Sequence, residues 1–247
     1  MRAYWLIALA ACSSPKKTHD ASAVTTGSEM PVNNPGQPGV GGHGLAYYGL
    51  ETNFVTSIST PAFTTQASGS TLIVSVGRGK VSATAKPTDN KSNTYQQLGA
   101  TQTYTRYPTS GTATYAVPGA TGGDRTVVSV SNASQDEITI AAVEVTGATK
   151  IQDQQWIEQL AAPLQSKSVT TTGPATLVAF WWGDAPEPMV KTATPNNGFT
   201  VIDSILDSGA LVQCSVAVKN VADAGVYDVT WVATPAQGAQ LWLIAVQ

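Results

Sequence analysis

The segment Thr71-Leu72-Ile73-Val74-Ser75-Val76-Gly77 returns as Thr176-Leu177-Val178-Ala179-Phe180-Trp181-Trp182-Gly183, an offset of 105 residues. Each copy follows a polar stretch, residues 64–70 and 170–175, and precedes an Asn-bearing loop, Pro87-Thr88-Asp89-Asn90 and Pro195-Asn196-Asn197-Gly198. A second correspondence, Val128-Ser129-Val130 with Val229-Thr230-Trp231, has an offset of 101, and each half closes on its most apolar segment, 138–143 and 241–246. A drift of a few residues is what insertions in surface loops produce. A chain of 247 residues holds one large core or two ordinary ones, and the duplication predicts two related units.

From about residue 45 onward, short segments of alternating apolar and polar residues are separated by Gly, Pro, Asn and Asp, which is the punctuation of strands. Expected strands are 54–58, 71–76, 94–98, 101–106, 112–117, 125–131 and 138–145, then 168–172, 176–182, 199–205, 211–219, 227–232 and 240–246. Segments apolar at every position belong in mid-sheet. Residues 151–164 alone have any helical character. The expected fold class is all-β: two tandem related β-sandwich units at 43–150 and 151–247, with one larger sandwich built from both halves as the alternative.

Charged residues make up 12% of the chain and the net charge is −3. The polar surface therefore comes mostly from Ser, Thr, Asn and Gln, as in secreted β proteins. No basic cluster is longer than Lys16-Lys17, so the electrostatic attraction that holds a polyanion is missing and nucleic acid is excluded as a partner.

Residues 1–11 read as an export signal: one positive charge, a short apolar run and small residues. A membrane-spanning helix needs about 20 apolar residues, and this run stops at roughly half that. Leu9-Ala10-Ala11-Cys12 resembles the lipobox of bacterial lipoproteins. The resemblance implies cleavage before Cys12, lipidation of that residue, attachment to a membrane through the lipid and, with Ser13 following, location at the outer membrane. Residues 12–42 are rich in Ser, Pro, Gly and Asn without apolar periodicity and are expected to form a disordered tether. The polar stretch before each apolar strand, the Asp89-Asn90-Lys91-Ser92-Asn93-Thr94-Tyr95 loop and Ala141-Ala142-Val143-Glu144-Val145-Thr146-Gly147 resemble segments of exported bacterial proteins with immunoglobulin-like or jelly-roll sandwiches. That likeness implies a fold and supplies no catalytic residue.

The inventory of reactive side chains is short. The two histidines are His19 in the tether and His43, between glycines and expected to be a solvated loop residue. Cys214 alternates with Val212, Val216 and Val218, the pattern of a buried strand thiol. No catalytic residue, metal ligand set or cofactor is assigned. Asp89 and its neighbours could offer oxygen ligands to calcium, but a lysine within the loop favours an ordinary turn. Glu144 shares a strand face with Ile138, Ile140 and Ala142, and is expected at a rim where it reaches water. Candidate ligand-binding residues are Trp181 and Trp182, which point to opposite strand faces so that one indole would stand exposed; Asp184 and Glu187 in the following loop; and Tyr104 and Arg106, beside Tyr107. An exposed aromatic ring beside carboxylates suits stacking on sugars. The function expected is non-enzymatic binding or adhesion at the cell surface, with a polysaccharide or a surface protein as partner. A polysaccharide-degrading hydrolase or lyase and a structural spacer or assembly subunit are the alternatives.

Overall fold

The computed structural model describes residues 33–34, 36–49, 55–81, 85–131, 137–186 and 189–247. The leader, Cys12, most of the tether and Glu187 lie outside them. The fold is all-β. The first half of the chain contributes β1 (Gly39–Tyr48), β2 (Ser57–Ser59), β3 (Ser70–Arg78), β4 (Thr88–Asp89), β5 (Gln96–Thr103), β6 (Gly111–Ala120), β7 (Val128–Ser131) and β8 (Ile138–Thr146). The second contributes β9 (Ile151–Gln159), β10 (Leu164–Gln165), β11 (Val169–Thr171), β12 (Ala175–Gly183), β13 (Thr192–Pro195), β14 (Thr200–Ile205), β15 (Cys214–Val221), β16 (Gly225–Tyr227), β17 (Thr230–Thr234) and β18 (Ala239–Val246).

Two five-stranded antiparallel sheets dominate, ordered β1-β8-β3-β6-β5 and β9-β18-β12-β15-β14. The order of the second repeats that of the first, and so does the register: Thr71 lies opposite Val145 as Thr176 lies opposite Val246. Smaller sheets, β2-β7-β4 in the first half and β10-β17-β13 with the pair β11-β16 in the second, supply the outer layers.

Strand alternation explains the layering. In β3, Leu72, Val74 and Val76 face a core shared with Val128 and Val130 of β7, while Ile73 faces the other way. In β12, Leu177, Ala179 and Trp181 pack with Trp231 of β17, while Val178, Phe180 and Trp182 join Ile73, Val143 and Val145 in a core between the two large sheets. The central strands are therefore buried on both faces, which is why their sequence is apolar at nearly every position. The middle core draws on both halves of the chain, so the large sheets pack face to face. Polar ties cross this interface as well: the Thr112 hydroxyl donates to Gln240 Oε1 at 2.6 Å and accepts from Trp242 Nε1 at 2.8 Å.

One close approach depends on glycine. An added Cβ at Gly77 would stand 2.4 Å from the six-membered ring of Trp182, so the indole lies directly on the β3 backbone. Its Nε1 donates to Ser75 Oγ at 3.2 Å.

Several expectations are corrected. Residues 151–159 form edge strand β9 rather than a helix; pairing with β18 along its whole length outweighs a weak helical pattern. The expected strands at 94–98 and 101–106 are one strand, β5, whose pairing with β6 shifts between Leu98 and Gln102, where Gly99 has a positive φ. The ordered chain begins before residue 43. Asn33 bonds both the N–H and the C=O of Val40, Asn220 donates to Asn33 Oδ1 at 3.0 Å, and β1 starts at Gly39. His43 is therefore a strand residue, with its Nδ1 2.8 Å from Asp203 Oδ2.

Glu144 is 1% exposed rather than at a rim. The outer layer covers its face, and its carboxylate accepts backbone N–H bonds from Gly42 at 3.1 Å and Gln66 at 2.7 Å. Asp89 organises a turn: it accepts from Lys91 N, Asn93 N, Asn93 Nδ2 and the Tyr95 hydroxyl, which occupies the oxygens a calcium ion would need.

Candidate functional site

Neighbouring strands in both large sheets run antiparallel, so each pole of the molecule gathers strand ends from distant parts of the sequence. At one pole β3 ends in Arg78, β12 ends in Gly183, β6 begins after the turn 104–110, and β15 begins after Leu211 and Val212. A cavity of about 310 Å³ opens there, lined by Arg78, Gly79, Tyr104, Tyr107, Ser110, Glu137, Gly183, Asp184, Ala185, Pro186, Leu211 and Val212. The chain joins the body at the opposite pole, where β1 starts. Nine residues of β3 at about 3.3 Å each separate the two poles by roughly 30 Å.

The wall contributed by the first half is a self-closing turn. Tyr104 N bonds Ser110 O at 3.0 Å, Ser110 N bonds Tyr107 O at 2.8 Å, and Ser110 Oγ donates to Gly79 O at 2.9 Å. The turn leaves the Tyr107 ring 47% exposed. Tyr104 points inward and donates its hydroxyl to Trp182 O at 3.1 Å. Burial, and next the negative charge of Asp184, push its ionisation far above the ordinary tyrosine range, so it serves as a neutral donor.

The wall contributed by the second half is held by buried amides. Ala185 N donates to Gln237 Oε1 at 2.7 Å, and Gln213 Nε2 donates to Ala185 O at 2.8 Å. Asp184 N bonds Gly238 O at 3.1 Å. The Asp184 side chain is 1% exposed; its Oδ2 stands 3.3 Å from Arg106 Nη1, and its buried Oδ1 has no hydrogen-bond partner. Burial raises the Asp184 carboxyl above its ordinary value. The Arg106 charge and the Gly238 N–H oppose that rise, and Glu158 adds to it. Arg106 also donates to Leu160 O at 2.7 Å, and beside it Glu158 accepts from both the backbone and the hydroxyl of Thr105. Lys191, buried, donates to Ala210 O at 2.8 Å and so braces the loop that carries Leu211, which is 42% exposed.

The residues expected from sequence divide three ways. Tyr104, Arg106 and Asp184 come together at this pole. Glu187 lies outside the described residues. Trp181 and Trp182 are both 0% exposed and cannot stack on a ligand. Their opposite orientation is as alternation requires, but a layer covers each face. Reasoning from sequence missed Arg78, Ser110, Leu211 and Val212. One signal was available: Arg78 closes β3 in the first copy of the repeat much as Gly183-Asp184 closes β12 in the second.

Among the described residues, no three His, Cys, Asp or Glu side chains gather in a metal-binding geometry. Comparison with protein-family models, with curated proteins and with solved structures finds no match for this chain.

Proposed function

We propose that this protein is an exported, lipid-anchored surface module that binds carbohydrate. The observation that carries the reading is the polar-aromatic cavity at one pole, where the exposed ring of Tyr107 and the side chain of Leu211 stand beside buried hydrogen-bonding groups. A sugar presents apolar C–H faces and peripheral hydroxyls, and a site that combines the two kinds of surface in one concavity matches both. The lipid anchor rests on Leu9-Ala10-Ala11-Cys12.

The test is retention of the full chain on a panel of neutral and acidic glycans, beside Tyr107→Ala. The ring of Tyr107 is exposed, so its removal leaves the cores intact. Retention by the wild type and its loss in the variant support the reading; no retention of the wild type would sink it in favour of a spacer. Mass spectrometry of the natively produced protein tests the anchor, since an unmodified Cys12 contradicts it.

A glycan-cleaving enzyme is the second reading. Two observations favour it: Glu137 and Asp184 line the same cavity, and burial raises the Asp184 carboxyl, the condition of a proton donor. Release of new reducing ends from a retained glycan decides between binding and cleavage.

A further inference from the structure

The cavity has a neighbour. Across the turn 104–110 a second, more open concavity of about 610 Å³ has Gly79, Lys80, Thr101, Thr103, Pro108 and Thr109 in its walls. Gly79 lines both concavities, and the tip of the turn serves both: Tyr107 faces the first and Pro108 the second. The ridge between them is tied down, since Ser110 Oγ donates to Gly79 O at 2.9 Å and Val81 N bonds Thr109 O at 2.8 Å. At the crossing, Gly79 has no side chain to obstruct a ligand that passes from one concavity to the other.

The second concavity repeats the pairing of surfaces that supports the carbohydrate reading, on which this inference rests. Pro108 offers an exposed apolar ring, and three threonines offer hydroxyls. Thr103 and Thr109 are exposed, and neither hydroxyl has a hydrogen-bond partner among the described residues. The Thr101 hydroxyl accepts from Gln97 Nε2 at 3.1 Å and keeps its own proton to donate.

Charge distinguishes the two. The first concavity is lined by both signs, Arg78, Glu137 and Asp184, and Asp184 is paired with Arg106 at 3.3 Å. In the second the one charged lining residue is Lys80, exposed and without an ion pair among the described residues. A wall of a single sign draws the opposite charge.

We infer that the two concavities form one extended site for a linear acidic glycan. One ring lies in the first concavity against Tyr107, the chain crosses at Gly79, and the rings that follow lie in the second, with an acidic group toward Lys80.

The experiment measures affinity of the full chain for three probes: a neutral linear disaccharide, the neutral tetrasaccharide of the same linkage, and that tetrasaccharide with alternate rings oxidised to uronic acids. The neutral tetrasaccharide is expected to bind at least tenfold more tightly than the disaccharide. Thr103→Trp places an indole in the second concavity at an exposed strand position, where tryptophan is well tolerated. It should abolish the gain with length and leave disaccharide affinity unchanged, which also shows that the variant folds. Tyr107→Ala weakens all three probes. The acidic tetrasaccharide should bind about twofold to fivefold more tightly than the neutral one at low salt, the scale of an exposed ion pair. That advantage disappears in Lys80→Gln and at high salt, while neutral affinity holds. Equal affinity for disaccharide and tetrasaccharide, a full length gain in Thr103→Trp, or an acidic advantage that is absent or survives Lys80→Gln overturns the inference and leaves the carbohydrate reading intact. Failure of every probe to bind the wild type overturns the carbohydrate reading beneath it.

Discussion

His43 Nδ1 stands 2.8 Å from Asp203 Oδ2 and joins β1, an edge strand of one large sheet, to β14, an edge strand of the other. Asp203 is 1% exposed and its Oδ1 has no hydrogen-bond partner, so the imidazole is the group that satisfies this carboxylate. His43→Ala is expected to lower stability by about 1–3 kcal/mol, the cost of leaving a buried acceptor unmet. Asp203→Ala on that background should cost less than it does alone, because the interaction is already gone. Urea denaturation of the two single variants and the double variant checks this, and strictly additive losses would refute the coupling.

Trp182 fills the space above Gly77, and each depends on the other. Trp182→Ala is expected to cost about 3–5 kcal/mol through lost burial and the cavity left behind. Gly77→Ala forces a methyl group to within 2.4 Å of the indole and should destabilise by about 1–3 kcal/mol, as overpacking does. In the double variant the new methyl no longer meets the ring, so the combined loss should be smaller than the sum of the two. Thermal melts of the three variants provide the check.

Glu144 ties β8 to β1 and to the segment at Gln66 through two backbone N–H groups. Glu144→Gln keeps one acceptor and loses the other, with an expected cost of about 1–3 kcal/mol. Glu144→Ala orphans both donors and should cost more. Amide hydrogen exchange at Gly42 and Gln66 should accelerate in both variants; unchanged protection would show that the carboxylate does not hold them.

The raised carboxyl of Asp184 has a definite sign in the pH dependence of stability. The folded protein holds this proton more tightly than the unfolded chain, whose carboxyl keeps the ordinary value near 3.8. Stability from this group is therefore greatest below both values, falls as pH rises between them, and stays reduced above the folded value. Asp184→Asn removes the titration, so the stability difference between variant and wild type should move in the variant's favour as pH rises across that window. Parallel curves from pH 3.5 to 7 would contradict it.

How much of this was legible in the sequence depends on range. The repeat at Thr71 and Thr176, the two-faced apolar strands and the all-β class follow from local pattern. The same pattern set Trp181 and Trp182 on opposite faces correctly, yet said nothing of what covers those faces. Layer count comes from contacts between β12, β17 and β3, which are remote in the chain. His43 looked solvated between two glycines because its partner, Asp203, is 160 residues away. Tyr104, Arg106 and Asp184 stood out as polar and aromatic residues of the sequence, while Arg78 and Leu211 join them only because antiparallel strands bring their ends to one pole.

Gly77 and Trp182 occupy the same place in the two copies of the repeat, 105 residues apart, and they meet each other across the middle core. Two first halves set face to face would put glycine opposite glycine and leave a hole; two second halves would drive indole into indole. The smallest side chain and the largest thus act as an address. They match each half to its complement within one chain and penalise the like-with-like pairings through which duplicated proteins exchange segments between molecules.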